Sequence, residues 1–292
     1  MTTAFTTYPA ALYHADPHEG GPSLSSSIGN LIVSRSPRHG WLAHPKLGGV
    51  RKVQTKTFDR GSLIHKLVLG EGAEIVAVDA ADWRTKLAQQ QRDDAYTAGK
   101  IPCLIADLED AQEATVEINR QLAAYGIELT GRSEVCALWA ETATDGTEVQ
   151  CRAMLDHWLP VDRMGTIYDL KSCRSAHPAA IQRHIPGYGY DLQAAAYVRG
   201  VERIEPERAG RVDFVFLFTE LDPAVTVTPV RRSGTLRELG ERKWNRAIDL
   251  WARCLTANDW PGYVNDIIEI EAPPWALTDF DNADFAAELA AS

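Results

Sequence analysis

Apolar positions recur along the chain first at helical and then at strand spacing, and the change of period divides it into segments. SLSSSIGNLIVSRSP predicts a short Ser-capped helix stopped before Pro37, set in a weakly periodic first 60 residues rich in Ser, Gly, Pro, His and Arg. In FDRGSLIHKLVLG, from Phe58, the residues Leu63, Ile64, Leu67 and Val68 fall on one helical stripe, His65 lies at its edge and Gly70 supplies the stop. Residues 82–126 are charged and rich in Ala and Gln, and they predict helices. The texture then changes. SEVCALWAET, the turn pair Asp145-Gly146 and TEVQCRAMLDHWL predict a hairpin, and GTIYDLKS adds a third strand. Two helices follow, HPAAIQRHI with Pro178 in its first turn, and YDLQAAAYVRG from Asp191 to a stop at Gly200. RVDFVFLFTEL and AVTVTPV are the next strands. The last long helix, TLRELGERKWNRAIDLWARCLTAN, offers Leu236, Leu239, Ile248, Trp251 and Leu255 to the sheet. This order predicts an α/β fold, a central mixed β-sheet flanked by helices.

The 292 residues are enough for one large domain, expected over residues 58–277, with a Ser/Pro-rich segment (1–57) packing on it and an acidic tail (278–292). With 45% hydrophobic and 24% charged residues, wholesale disorder and coiled-coil architecture are excluded. Forty acidic against 30 basic side chains give a formal charge of −10, which repels a polyanion unless the cations are gathered in one place. Much of the acidity falls in residues 71–128 and 265–288. The five cysteines, at 103, 136, 151, 173 and 254, form no CxxC pair, which fits a reducing cytoplasm better than a disulfide scaffold or zinc ribbon. The N-terminus lacks a signal peptide's basic flank and apolar core, and no stretch approaches the roughly 20 apolar residues of a membrane span. The expectation is a cytoplasmic protein with no membrane partner. AGKI at 98–101 lacks the loop and hydroxyl of a phosphate-binding Walker motif, so no ATP is expected.

Strand parity locates the candidate chemistry, because side chains two apart share a face. Gln150, Arg152, Met154 and Asp156 alternate with the apolar Val149, Cys151, Ala153 and Leu155, so one face carries charge in mid-sheet. Asp169 and Lys171 share a face of the next strand, and both strands end on carboxylates. Carboxylates brought together across a sheet repel one another, and the usual relief is a hard cation with oxygen ligands, most often Mg²⁺. A lysine two residues on can position an attacking water, lower its pKa or stabilise charge on a pentavalent phosphate. Taken singly, an Asp at a strand end reads as a turn residue.

With Asp156 as first acid and Asp169-Leu170-Lys171 as the (D/E)XK element, the sequence resembles the PD-(D/E)XK nuclease superfamily. His65 upstream, Glu134 opening the first strand, Arg152 four before Asp156, and Gln193 and Tyr197 four apart on the following helix narrow the resemblance to the RecB-like branch. The pattern SEVCALW, CRAMLD, DLKS, YDLQAAAY, with LSSSIGNLIVSRSPRH and APPWA toward the ends, is most similar to the phage and prophage exonuclease VIII (RecE-like) exodeoxyribonucleases. The resemblance covers roughly residues 22–277. It implies a restriction-endonuclease-like core and Mg²⁺-dependent digestion of one strand of linear double-stranded DNA, 5′ to 3′, leaving single-stranded DNA for recombination, with Mn²⁺ as a substitute metal. Asp156, Asp169, Lys171 and Glu134 are implied as catalytic, and His65, Asp156, Asp169 and the Leu170 carbonyl as metal ligands. Gln193, Tyr197, Arg152 and Arg174 are implied along the DNA, with Arg183 and His184 adding to a basic groove and Arg35, Arg38 and His39 a weaker candidate. A homo-oligomer and a RecT-like annealing partner are implied by the same resemblance. Some RecB-branch relatives hold an iron–sulfur cluster with one upstream and three C-terminal cysteines; the C-terminal third here has only Cys254, so no cluster is expected. Two alternatives stand beside this reading: an endonuclease or a nuclease of single-stranded or branched DNA on the same fold, and a catalytically silent DNA-end-binding protein.

Overall fold

A computed structural model describes residues 3–49, 60–264 and 266–291, so the Phe58 start of the first amphipathic helix and the 57/58 boundary lie outside the described residues. The N-terminal segment supplies β1 (Ala4–Thr6), α1 (Ala10–His14), β2 (Leu24–Ser25), α2 (Ser26–Ser34) and α3 (Pro37–Ala43). Next come α4 (Arg60–Leu69), β3 (Ile75–Val78), α5 (Lys86–Thr97), β4 (Ile101–Leu104) and α6 (Ile105–Ala124). The central meander is β5 (Arg132–Thr142), β6 (Glu148–Val161) and β7 (Met164–Cys173). It leads into α7 (Pro178–Tyr188), α8 (Tyr190–Ile204), β8 (Val212–Glu220), β9 (Thr226–Arg231), α9 (Gly234–Ala257) and α10 (Pro274–Ala291). Ser25 caps α2, its side chain accepting from the Ile28 amide, and Pro178 opens α7, both as expected.

The main sheet runs β1-β5-β6-β7-β8-β9, with β2 added to β6. It is mixed: β7 and β8 are parallel and the other neighbours along this path antiparallel. One face carries Trp139, Leu155, Trp158, Ile167, Phe214 and Phe216, packed with Ile28 of α2, Leu192 of α8, and Trp244 and Trp251 of α9. The opposite face of β7–β9 presents Leu170, Val215, Leu217 and Val227 to Leu63 and Ile64 of α4 and Ile118 of α6. Burying these side chains supplies the main force for folding, on the order of 1.5–3 kcal/mol for each large apolar side chain. The compact unit closes at Trp260, whose indole meets Trp251 edge-on; residues 261–292 form a second unit, and the 277/278 boundary read from the sequence falls inside it. In that second unit α10 exposes Trp275, Leu277 and Phe280. No helix among the described residues is long and apolar enough to cross a membrane.

Three local expectations are corrected. Gly200 does not stop α8, which continues to Ile204; a Cβ there would lie 2.9 Å from the Trp139 ring, so the glycine serves close packing. Leu239 and Leu255 of α9 are exposed, and Trp244 and Ala247 take their place in the core. Within the region read as helical, Ile101–Leu104 instead pairs in parallel with Ile75–Val78, two four-residue strands too short, and one too Pro-interrupted, to carry a clear period.

Candidate active site

Register explains why distant acids meet. The β5–β6 ladder pairs Ser133 with His157 and Val135 with Leu155, which places Glu134 opposite Asp156. The β6–β7 ladder pairs Trp158 with Ile167 and His157 with Tyr168, and it ends one step short of Asp156 and Asp169. Glu134, Asp156 and Asp169 therefore form a row across three neighbouring strands, at the point where the sheet opens. Beyond it β7 continues on β8 alone, pairing Asp169 with Phe216 and Lys171 with Phe218. The edge of β6 released there is taken by β2, which pairs Leu24 with Cys151 and Ser25 with Arg152. Glu134 makes no ladder pair and has φ 52°, a left-handed backbone that costs an L-residue roughly 1–2 kcal/mol. A bent ladder at a strand opening re-aims a side chain into the gap.

The two aspartates reach the opening from neighbouring strands and meet different helices. Asp156 is out of phase with Leu155 of the main core and turns toward α4, where His65 Nε2 lies 3.2 Å from its Oδ2; His65 Nδ1 is 3.6 Å from Glu134 Oε1. The Leu170 amide donates to Asp156 Oδ2 at 2.9 Å, tying the first acid to the strand that bears the second. Asp169 is in phase with Ile167 and turns toward α8, where Gln193 Nε2 donates to its Oδ1 at 2.8 Å. Lys171 Nζ stands 2.5 Å from Asp169 Oδ2 and 4.9 Å from the centre of the Tyr190 ring. Tyr197 is buried and adjoins the side chains of Gln193 and Ser26. A cleft of about 580 Å³ lined by His65, Lys66, Glu134, Leu170 and Ser172 opens at the Glu134 end of this row.

The electrostatics follow from three carboxylates facing two cations in a partly dry site. Complete burial pushes the Asp169 carboxyl up to about 6, in spite of the adjacent Lys171 ammonium. Burial raises Glu134 as well, the Asp156 charge adding to it and His65 opposing it. For Asp156 the burial effect is outweighed by the His65 hydrogen bond, the Lys171 charge and the Leu170 amide, so its carboxyl stays below the usual range. Burial works against charge on His65 and Lys171, but the surrounding carboxylates prevail and hold both pKa values up.

This donor set suits a hard divalent cation. Among the described residues no three His, Cys, Asp or Glu side chains converge into a preformed cage. Mg²⁺ does not ask for one: it is usually held by one or two carboxylates, with waters and substrate phosphate completing its shell. Asp169 Oδ2 is buried and has no hydrogen-bond donor in good geometry, only the ion pair with Lys171. An acceptor left in that state is open to a cation.

The fold thus gathers His65, Glu134, Asp156, Asp169, Leu170, Lys171, Gln193 and Tyr197 in one place. Arg152 does not join them and leaves the set of phosphate-contacting candidates. It is 3% exposed, and its guanidinium is engaged by Asp16 Oδ2 at 3.3 Å, by Ser23 Oγ at 2.8 Å and by the Ser23 carbonyl, because the N-terminal segment covers its face of β6. Arg174 lies just past β7 and is exposed, as is Arg183 on α7, while Arg38 stacks on Trp41. Sequence reasoning misses Tyr190, although the signal is present: it precedes Gln193 by three and Tyr197 by seven, on the same helical stripe.

A family profile described as "PDDEXK-like domain of unknown function (DUF3799)" matches residues 47–270. No curated protein matches the sequence. Among solved structures, a "Putative exonuclease" from Eubacterium rectale superposes with a TM-score of 0.57 at 13% identity, over 94% of this chain and 98% of that one, a likeness of fold. A phage related exonuclease from Haemophilus somnus aligns over 84% of this chain and 99% of its own, with a TM-score of 0.32 at 12% identity.

Proposed function

The chain belongs to the PDDEXK-like domain family, and on that premise we propose that it is a metal-dependent exodeoxyribonuclease that digests one strand of linear duplex DNA, 5′ to 3′. The observation that carries the reading is the row Glu134, Asp156 and Asp169, with Lys171 beside it, at the opening between β6 and β7. Asp156, Asp169 and the Leu170 carbonyl would hold Mg²⁺ or Mn²⁺, with His65 steadying Asp156. Such a cation supplies charge neutralisation at the phosphate and a more acidic attacking water.

The chain's own groups do the rest. Gln193 holds the Asp169 rotamer through its Oδ1, leaving Oδ2 to Lys171. Lys171, kept charged by the two aspartates, places an ammonium where the phosphate gains negative charge in the transition state. The Tyr190 ring flanks that ammonium and limits its hydration, which strengthens its field. With a formal charge of −10, the chain as a whole repels DNA, so engagement is confined to the cations near the opening. A homo-oligomer around the duplex and a RecT-like annealing protein receiving the single strand are elements of the proposal that rest on family resemblance alone.

The test compares end-labelled linear duplex with covalently closed circular duplex, with and without Mg²⁺. Degradation of the linear substrate only, with the 5′ label released first and only with metal, is the expected outcome. Cleavage of the closed circle would overturn the exonuclease reading in favour of an endonuclease. Tight binding of ends without hydrolysis would make the protein a silent end-binder.

A further inference from the structure

We propose that the small pocket past the end of β7 is a nucleotide subsite: one base of the strand being cut stacks on Tyr188, and the phosphate next to the scissile one is held by Arg174 with His184. The proposal rests on the nuclease reading above and adds to it the residues that set the register of the strand.

The pocket, of about 220 Å³, is lined by Cys173, Arg174, His184, Tyr188, Tyr190 and Phe218 among others. It is smaller than the ~300–1,000 Å³ typical of drug-sized ligands, so it has room for one planar ring and not for a helix or a large cofactor. Its position ties it to the candidate active site, since Lys171 is followed directly by Ser172, Cys173 and Arg174 along the same chain. Tyr190 is a shared wall: its ring is 4.9 Å from Lys171 Nζ on one side and 5.6 Å from the Tyr188 ring on the other. His184 meets Tyr188 nearly edge-on at 5.5 Å. The three rings form a short aromatic surface leading away from the catalytic lysine.

The exposure of these groups points to a ligand. Tyr188 is 62% exposed, and its ring is not needed to end α7: the Gly189 amide caps the helix on the Ile185 carbonyl, and Asn30 bonds the backbone carbonyl of Tyr188. An exposed aromatic ring lining a pocket offers a π-face, which every base can use. Arg174 is exposed and has no carboxylate partner among the described residues, in a chain with an excess of carboxylates. A guanidinium without a carboxylate partner beside an exposed aromatic ring recognises a phosphate and the base attached to it. A base seated on Tyr188 would be linked to Lys171 through the Tyr190 ring, which neighbours both.

The test is steady-state hydrolysis of short end-labelled duplexes in which an abasic residue is moved one position at a time along the cut strand, using wild type, Tyr188→Ala, Tyr188→Phe and Arg174→Gln. For wild type, the abasic residue at one position near the scissile phosphate should raise KM by about 5- to 150-fold, the worth of one base–aromatic stack. In Tyr188→Ala, KM for the intact strand should rise by the same factor, the abasic penalty at that position should vanish, and kcat should change little. Tyr188→Phe should behave as wild type, and Arg174→Gln should raise KM whatever the base. Thermal melts of Tyr188→Ala should match wild type because the ring is exposed. If wild type digests DNA but the abasic pattern is the same with and without Tyr188, the subsite is wrong and the nuclease reading stands. If wild type hydrolyses no DNA, both fall.

Discussion

Charge removal at Asp16 tests how the N-terminal segment is fastened to the strand that carries Asp156. Asp16 is 3% exposed; its Oδ2 accepts from the Ser23 amide at 2.8 Å and its Oδ1 from the Ser23 hydroxyl at 2.7 Å. The same carboxylate faces His44 Nε2 at 3.2 Å and Arg152 Nη1 at 3.3 Å. Asp16→Asn keeps a residue that tolerates the local φ of 63° but sets an amide N–H₂ against these donors and strands the buried Arg152 guanidinium, whose Nε already has no partner. Breaking a buried, hydrogen-bonded pair from one side costs about 3–5 kcal/mol, a large share of the ~5–15 kcal/mol of a whole domain. In urea unfolding followed by the buried Trp139, Trp158, Trp244 and Trp251, a slope of about 3 kcal/mol per molar turns this into a midpoint roughly 1–2 M lower. Asp16→Asn with Arg152→Met, which removes the stranded charge while keeping apolar volume, should recover most of the loss. The pH dependence has a definite sign. The Asp16 carboxyl is held below its usual range by His44, Arg152 and Ser23, which outweigh its burial. Its stabilisation is therefore complete above the unfolded pKa of about 3.9 and is lost as pH falls toward the depressed native value. Asp16→Asn should flatten that acid limb. A loss under about 1 kcal/mol, or a double variant no better than the single, would refute the assignment of the cluster as a buried, charge-dependent clasp.

Further expectations concern the candidate active site. Lys171→Ala should lower single-turnover hydrolysis by about 10²–10³-fold, the usual worth of one preorganised electrostatic group, while filter binding shows DNA still retained; unchanged turnover would remove Lys171 from the chemistry. Gln193→Ala removes the donor to Asp169 Oδ1 and should weaken apparent Mg²⁺ affinity by about 10–100-fold, with activity restored at high Mg²⁺. A loss that no metal concentration recovers would mean that Gln193 acts on the DNA or the fold instead.

Much of this site is legible in the chain because its signals are local. The alternation in TEVQCRAMLD and TIYDLK places Asp156, Asp169 and Lys171 on strands, the stripe of α4 puts His65 at a helix edge, and the spacing of Gln193 and Tyr197 puts them on one side of α8. Each of these inferences needs only the period of an element, which a few neighbouring residues specify. Arg152 shows the limit. Its parity is correct, but parity does not say what covers a face, and the cover comes from Asp16 and Ser23, more than a hundred residues earlier.

The sequence by itself determined the order and type of the main elements and the residue types that meet a phosphate. Only the tertiary structure decided that β6 and β7 diverge immediately beyond the His157–Tyr168 pair, that Glu134 adopts a left-handed backbone opposite Asp156, and that β2 occupies the freed edge of β6. It also decided the acidities: Asp156 and Asp169 are chemically alike, yet one is held below its usual range by His65, Lys171 and a backbone amide while burial lifts the other to about 6. The reason is one of range. Backbone sterics and side-chain period act over a few residues, whereas strand divergence, burial and the balance of desolvation against neighbouring charge depend on which distant segments are packed together.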